Sequence, residues 1–190
     1  VLLTRHGDLA ALEVVDDHPE PVAGPGEVLV RVRACAINNT DINTRVGWYA
    51  QGEDDDGAWG GALDFPVIQG ADVCGEIAAV GDGVDAARVG ELVLVDPWIR
   101  PVPGDLGSAG YLGSEYPGGY AECMVAPAAN AHRVSGRLSP AEYASFPTAA
   151  GTALDMLRRA GLAAGETVLV TGASGGVGGY AVQLARALGA

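Results

Sequence analysis

Apolar and polar positions alternate over residues 28–34: Val28, Val30, Val32 and Ala34 fall on one face of an extended chain, and Arg31 and Arg33 fall on the other. A period of two predicts a half-buried strand, and Pro25-Gly26 punctuates its start. Residues 73–80 and 92–95 predict two more strands. They bracket Gly81-Asp82-Gly83 and Val89-Gly90-Glu91, where glycine's access to positive φ suits tight turns. Residues 1 to about 133 thus predict many short strands arranged as a meander or small barrel. Two stretches break the pattern and predict long loops: residues 47–64, with Glu53-Asp54-Asp55-Asp56 beside Trp59-Gly60-Gly61, and residues 96–119, rich in Pro, Gly and Tyr. The acidic run predicts a solvated loop tip.

Near residue 135 the period changes. Ser139-Pro140-Ala141-Glu142 places a capping hydroxyl, a proline at the first helical position and a carboxylate three residues after the cap, which opens a helix. A second helix is expected from about Ala149 to Ala160, stopping at Gly161. Residues 166–171 then predict a short apolar strand. A glycine cluster follows it directly, and Val177, Tyr180, Ala181, Leu184 and Leu188 recur at helical spacing.

Composition narrows the function classes. The 190 residues carry 11 basic and 24 acidic side chains, a net charge of −13, and every cation is Arg. No basic run offers a phosphate footprint, so a nucleic-acid or anionic-membrane partner is not expected. Cys35, Cys74 and Cys123 are too far apart for a metal knuckle and are odd in number, which predicts reduced thiols in a cytoplasmic protein. No apolar run approaches the roughly 18 residues of a membrane span.

The segment Val168-Leu169-Val170-Thr171-Gly172-Ala173-Ser174-Gly175-Gly176-Val177-Gly178-Gly179-Tyr180 reads as strand, glycine-rich turn and helix. Gly172 and Gly175 allow a sharp turn, Gly176 allows backbone to approach a pyrophosphate, and Gly178 lets the helix sit close to the strand. Free N–H groups at the helix start attract the anion. Placement between an apolar strand and an amphipathic helix predicts dinucleotide binding through Gly172, Ser174, Gly175, Gly176, Val177 and Gly178. Only twelve residues follow Gly178, whereas a dinucleotide fold needs about six parallel strands. The chain is therefore expected to hold an incomplete nucleotide domain, as a truncated chain, a proteolytic product or one part of a larger polypeptide.

The order of these elements resembles the medium-chain dehydrogenase/reductase superfamily. The resemblance rests on Pro25-Gly26-Glu27-Val28-Leu29-Val30-Arg31-Val32, Asn38-Asn39-Thr40-Asp41, Gly47-Trp48-Tyr49, Gly70-Ala71-Asp72-Val73-Cys74-Gly75, Gly118-Gly119-Tyr120-Ala121-Glu122 and the 173–178 turn. It implies an α+β unit leading into an α/β unit: a GroES-like β-rich barrel over residues 1–133, then the N-terminal part of a Rossmann fold, incomplete, over residues 134–190. It also implies an oxidoreductase that moves hydride between a nicotinamide and a small molecule.

The zinc-dependent branch of that family carries Cys-His where this sequence has Asn38-Asn39, His-Glu where it has Ala71-Asp72, and a third Cys where it has Thr148. Asn, Ala and Thr are poor zinc donors, and no cysteine lies between Asp96 and Glu122 to form the branch's structural zinc lobe. The expectation is a zinc-independent reductase of quinones or α,β-unsaturated carbonyls, with a small-molecule carbonyl or quinone substrate and a homo-oligomer as an open option. By matching position, Asn38, Thr40 and Tyr49 are the candidate catalytic residues, and Thr152 is a candidate nicotinamide contact. NADPH is the expected cofactor, with NAD as the alternative, because the turn resembles the NADPH-using branch. Two other readings stand beside this one: an alcohol dehydrogenase that has lost its zinc ligands, and a catalytically inert fragment or association module. His6, His18 and His132 have no nucleophile partner and read as packing or surface residues.

Overall fold

A computed structural model describes residues 1–50, 63–102, 104, 105 and 107–190. The acidic run at 53–56 and Trp59 lie outside the described residues. At the N-terminus, β1 (Leu2–Leu3) pairs with β2 (Leu12–Glu13). The main sheet is antiparallel and contains β3 (Glu27–Ala36), β4 (Asp72–Val80), β5 (Leu92–Val95), β8 (Cys123–Pro127) and β9 (Ala131–Arg133) in the order β8-β3-β4-β5-β9. The first two predicted strands are each slightly longer than the alternation alone suggests.

The strand order forces the sheet to curl. Strands β8 and β9 occupy opposite edges, yet only residues 128–130 join them. In a flat sheet the edges would lie about 19 Å apart, four spacings of ~4.8 Å. Four peptide steps reach only about 14 Å. The sheet meets this constraint by bending into a half-barrel, helped by register shifts in the β3–β4 ladder between Leu29 and Val30 and between Val32 and Ala34. Gly75 permits the close approach of the two strands, since a Cβ there would lie 2.5 Å from the Arg31 carbonyl oxygen.

The concave face holds the core: Val28, Val30, Val73, Ile77, Val93 and Val95 are fully buried, joined by Met124, Ala126 and Ala131. The alternation that predicted β3 is thus the alternation that fills the half-barrel. On the other face, Cys74 packs with Tyr143 and Ala144 of α2 (Pro140–Ala144). That helix begins as the sequence predicts, with Ser139 N donating to Glu142 Oε2 at 2.7 Å and Glu142 N donating to Ser139 Oγ at 3.3 Å. The helix α3 (Pro147–Arg159) buries Ala149, Ala153 and Leu157, and α4 (Gly176–Ala187) buries Ala181 and Ala185 where the two helices pack together.

Three features differ from the sequence expectations. A helix, α1 (Asn39–Val46), stands where only strands and loops were expected. It opens with Asn38 N donating to Asp41 Oδ2 at 2.8 Å and ends at Gly47, whose φ of 73° is left-handed. The expected loop at 96–119 contains a small ladder, β6 (Trp98–Ile99) with β7 (Gly110–Tyr111). Most instructive is the expected strand at 166–171, which forms no ladder among the described residues. A strand is completed by a neighbour's N–H and C=O groups, and the half-barrel offers none here.

Candidate active site

A cleft of about 730 Å³ opens between the half-barrel and α3. Thr40 enters it from the first turn of α1, and Tyr49 from the 3₁₀ turn at Trp48–Ala50 that follows Gly47. Thr152 reaches it from the second turn of α3, a different part of the chain. The structure therefore brings three of the sequence-predicted site residues to one cavity.

Asn38 takes a different place. Its side-chain Nδ2 donates to Asp72 Oδ2 at 2.6 Å, and it is not among the residues lining the cleft. The other oxygen of the same carboxylate, Asp72 Oδ1, accepts from Thr148 N at 2.6 Å at the start of α3. The Thr148 hydroxyl lies 2.9 Å from the Tyr111 hydroxyl, and both residues line the cleft. Of the positions matched to the zinc branch, Asn38, Asp72 and Thr148 converge on one hydrogen-bonded seam beneath the cavity, and Ala71, where that branch has His, takes no side-chain part in it.

This donor set does not fit a zinc ion. It offers an amide, a hydroxyl and a single carboxylate, and both oxygens of that carboxylate already accept N–H bonds. Among the described residues, no three His, Cys, Asp or Glu side chains cluster so that they could hold a metal.

Burial sets the electrostatics. Asp72 is fully buried with no cationic partner, and loss of water raises its carboxyl above the usual carboxylate range, partly offset by the hydrogen bonds from Thr148 and Asn38. Asp41, buried in α1, is raised for the same reason, and its bond from the Asn38 N–H opposes the shift. Gln69 Nε2 secures the helix by donating to the Asp41 carbonyl at 2.8 Å. The Tyr111 hydroxyl is pushed up to about 12 by burial, with the Thr148 hydroxyl acting in the opposite sense.

The residues Tyr111, Ser114, Glu115 and His6 also line the cleft, and sequence reasoning did not select them. His6 was read as packing. It does stack edge-on to Phe65 at 4.9 Å, and its Nδ1 donates to the Thr44 carbonyl at 3.0 Å, which leaves Nε2 as an acceptor. The signal that could have found Tyr111 is weak: a tyrosine between glycines in a loop long enough to be functional.

The glycine turn lies apart from this cleft, with residues 171–176 exposed. Gly172 adopts φ 63°, and a Cβ on Gly178 would sit 2.2 Å from the Gly172 oxygen, so side chains are excluded from both positions. Gly175 caps α4 with extended backbone and no side-chain cap bond, which leaves the helix start open to a ligand. Ser174 and Gly176 are exposed on the same turn, beside half-buried Val177. These features fit a pyrophosphate.

The curled antiparallel sheet that leads into helices and a glycine-rich turn is the architecture of a GroES-like domain. The chain belongs to the alcohol dehydrogenase GroES-like domain family, which residues 24–136 match, and with it to the medium-chain dehydrogenase/reductase superfamily. It is 33% identical over 182 residues to the acryloyl-coenzyme A reductase of Metallosphaera sedula, covering 90% of this chain and 51% of that protein. It is 31% identical over 190 residues to the human quinone oxidoreductase, covering 100% of this chain and 50% of that protein. A crystal structure from Sinorhizobium meliloti 1021, provisionally named an alcohol dehydrogenase, superposes with a TM-score of 0.89 at 51% identity, covering 100% of this chain and 54% of that one. The chain spans about half the length of the curated relatives it matches.

Proposed function

We propose that the chain carries the catalytic cleft and the opening of the nucleotide site of a zinc-independent NAD(P)H-dependent reductase acting on quinones or α,β-unsaturated carbonyls. Residues 1–133 form its catalytic unit and residues 134–190 the start of its nucleotide unit, in a reduced, cytoplasmic setting where Cys35, Cys74 and Cys123 stay free. The observation that carries this reading is the Asn38–Asp72–Thr148 seam: where a metal would need open donors, hydrogen bonds close the set.

When bound, the cofactor supplies a hydride, and NADPH is the preferred form. The backbone at Gly172, Gly175, Gly176 and Gly178, with Ser174 and Val177, would hold its pyrophosphate, and Thr152 would contact the nicotinamide end. In the cleft, Thr40 and Tyr49 offer hydroxyls to the substrate. Asn38 sits behind the cleft lining with an N–H on Asp72, so its part is to hold that carboxylate and, through it, Thr148. Hydride addition to an enone places negative charge on the carbonyl oxygen, so fixed donors lower the barrier, and a proton from water completes the product. The described cleft residues include one carboxylate, Glu115, and no Arg or Lys, which favours an uncharged carbonyl over an anionic acid.

Support also comes from the relatives, one named for a reductase of an unsaturated thioester and one for a quinone oxidoreductase. The test is NADPH oxidation by the whole protein with a panel of quinones and enones, run beside metal analysis. Saturable turnover without stoichiometric metal is expected. Stoichiometric zinc, or turnover with alcohols alone, would overturn the reading.

A further inference from the structure

The seam beneath the cleft ends at a hydroxyl that no part of the foregoing function uses. Tyr111 stands on β7, where the ladder to Trp98 and a bond from Tyr111 N to Glu115 Oε2 at 2.9 Å fix its backbone. Its ring meets Trp98 edge-on at 5.8 Å. Its oxygen is 2.9 Å from Thr148 Oγ1, Thr148 N is bonded to Asp72, and Asp72 is held in turn by Asn38. Tyr49, the hydroxyl chosen by matching position, has a looser setting: its oxygen receives a 3.4 Å contact from Asn43 Nδ2. A catalytic donor gains most when it is already oriented before the charge develops, and by that criterion Tyr111 is the better placed of the two.

We propose that the Tyr111 hydroxyl is the hydrogen-bond donor to the substrate carbonyl oxygen, with Thr148 as its positioning residue. This rests on the reductase reading and assigns the group that replaces the metal's role in it. The Thr148 and Tyr111 hydroxyls can bond in either direction, and in the proposed arrangement Thr148 is the donor, which leaves the phenol proton for the cleft. Asp72 anchors Thr148 through its backbone N–H, so the Tyr111 oxygen is located by three consecutive hydrogen bonds. As hydride arrives at the β-carbon, the C=C electron pair moves toward the carbonyl and forms an enolate. The phenol shares its proton with that oxygen without releasing it, consistent with burial raising the hydroxyl to about 12. The α-carbon then takes its proton from water, and charge is conserved.

The test uses the whole protein and two readouts. In the absence of NADPH, the infrared carbonyl stretch of bound cyclohex-2-enone is lowered relative to the free ketone in the wild type. It returns most of the way in Tyr111→Phe, which removes one oxygen and leaves the ring. In turnover, Tyr111→Phe lowers kcat by about 100-fold, as loss of one oxyanion donor does, while KM changes by less than about threefold, as expected for a bond that strengthens in the transition state. Thr148→Val, which keeps the phenol in place of any disturbed fold, gives an intermediate infrared shift and a smaller loss of kcat, and Thr148→Ser restores both.

Equal carbonyl frequencies in wild type and Tyr111→Phe would overturn the proposal, as would an unchanged kcat in Tyr111→Phe where the wild type turns over. A wild type that binds the enone with a lowered stretch but shows no reduction would sink the reductase reading and leave Tyr111 as a carbonyl-binding group. A wild type that binds no carbonyl overturns both.

Discussion

The tripeptide Val-Leu-Val occurs at residues 28–30, 93–95 and 168–170, and the first and last of these have opposite outcomes. In β3, Val28 and Val30 are fully buried, and strands pair on both sides. At 168–170, Val168 is 37% exposed, Leu169 is 88% exposed, and no ladder forms among the described residues. Local propensity is the same in both. What differs is the supply of partners: β4 and β8 lie antiparallel on either side of β3, whereas residues 166–171 have no strand beside them among the described residues, and a parallel strand needs crossover units to bring it neighbours. A strand is thus a property of pairing more than of the segment, and substitutions in the two copies' surroundings should separate the two cases.

The largest effect is expected in the half-barrel. Ile77 on β4 is fully buried among Val28, Val30, Val93 and Met124 in the same core cluster. Ile77→Ala should lower unfolding free energy by about 3 kcal/mol, the transfer loss plus the cavity left behind, measurable by urea denaturation with unchanged slope. A loss below about 1 kcal/mol would mean that the closed sheet tightens around the gap.

The same contrast explains how much of the molecule was legible in its residues. The alternation from Val28 to Ala34 and the capping pattern at Ser139–Glu142 are local, and both elements stand where they were expected. The glycine turn was equally legible, because Gly172 and Gly178 record backbone demands in the residue type itself. Helix α1 was missed although Asn38-x-x-Asp41 is a capping pattern, because Ile42 and Val46 are exposed and so leave no apolar stripe to read. The seam was half legible. Matching positions nominated Asn38 and marked Asp72 and Thr148 only as places where zinc ligands are lost, and their convergence on one carboxylate, with Tyr111 joining from β7, depends on long-range contacts such as the Thr148–Asp72 bond across 76 residues.

A moderate effect is expected at that seam, and its sign depends on pH. Burial raises the Asp72 carboxyl in the folded state above the 3.8 of an unperturbed group. The folded protein therefore binds more protons than the unfolded chain between pH 3.8 and the raised value. Within that window the contribution of Asp72 to stability is fully present at the acid end and is lost as pH rises. Asp72→Asn removes this dependence, so wild type should lose ground relative to the variant on going from about pH 4 to neutrality, by about 1.4 kcal/mol for each pH unit of displacement. Denaturation of both proteins across that range checks it, and a difference that grows in favour of wild type with rising pH would show that the bonds from Asn38 and Thr148 outweigh desolvation. Asp41 is raised too and is unaltered in both proteins, so its titration largely cancels in the comparison.

The smallest effect returns to Val168-Leu169-Val170. Leu169 has 88% of its surface exposed and lies in a segment without a ladder. In this 190-residue chain, Leu169→Ser should change unfolding free energy by less than about 0.5 kcal/mol, the usual range for a surface site. The substitution also lowers the apolar exposure of a segment with free edge groups, so it should reduce self-association at high concentration, readable by light scattering. In a longer polypeptide where further strands flank residues 166–170, the same leucine would be enclosed on both faces, as residues of parallel sheets are, and its replacement should then cost about 2–5 kcal/mol. Equal costs in the short and long chains would show that the segment's burial does not depend on added strands, and the account of Val168–Val170 as a strand awaiting its partners would have to be given up.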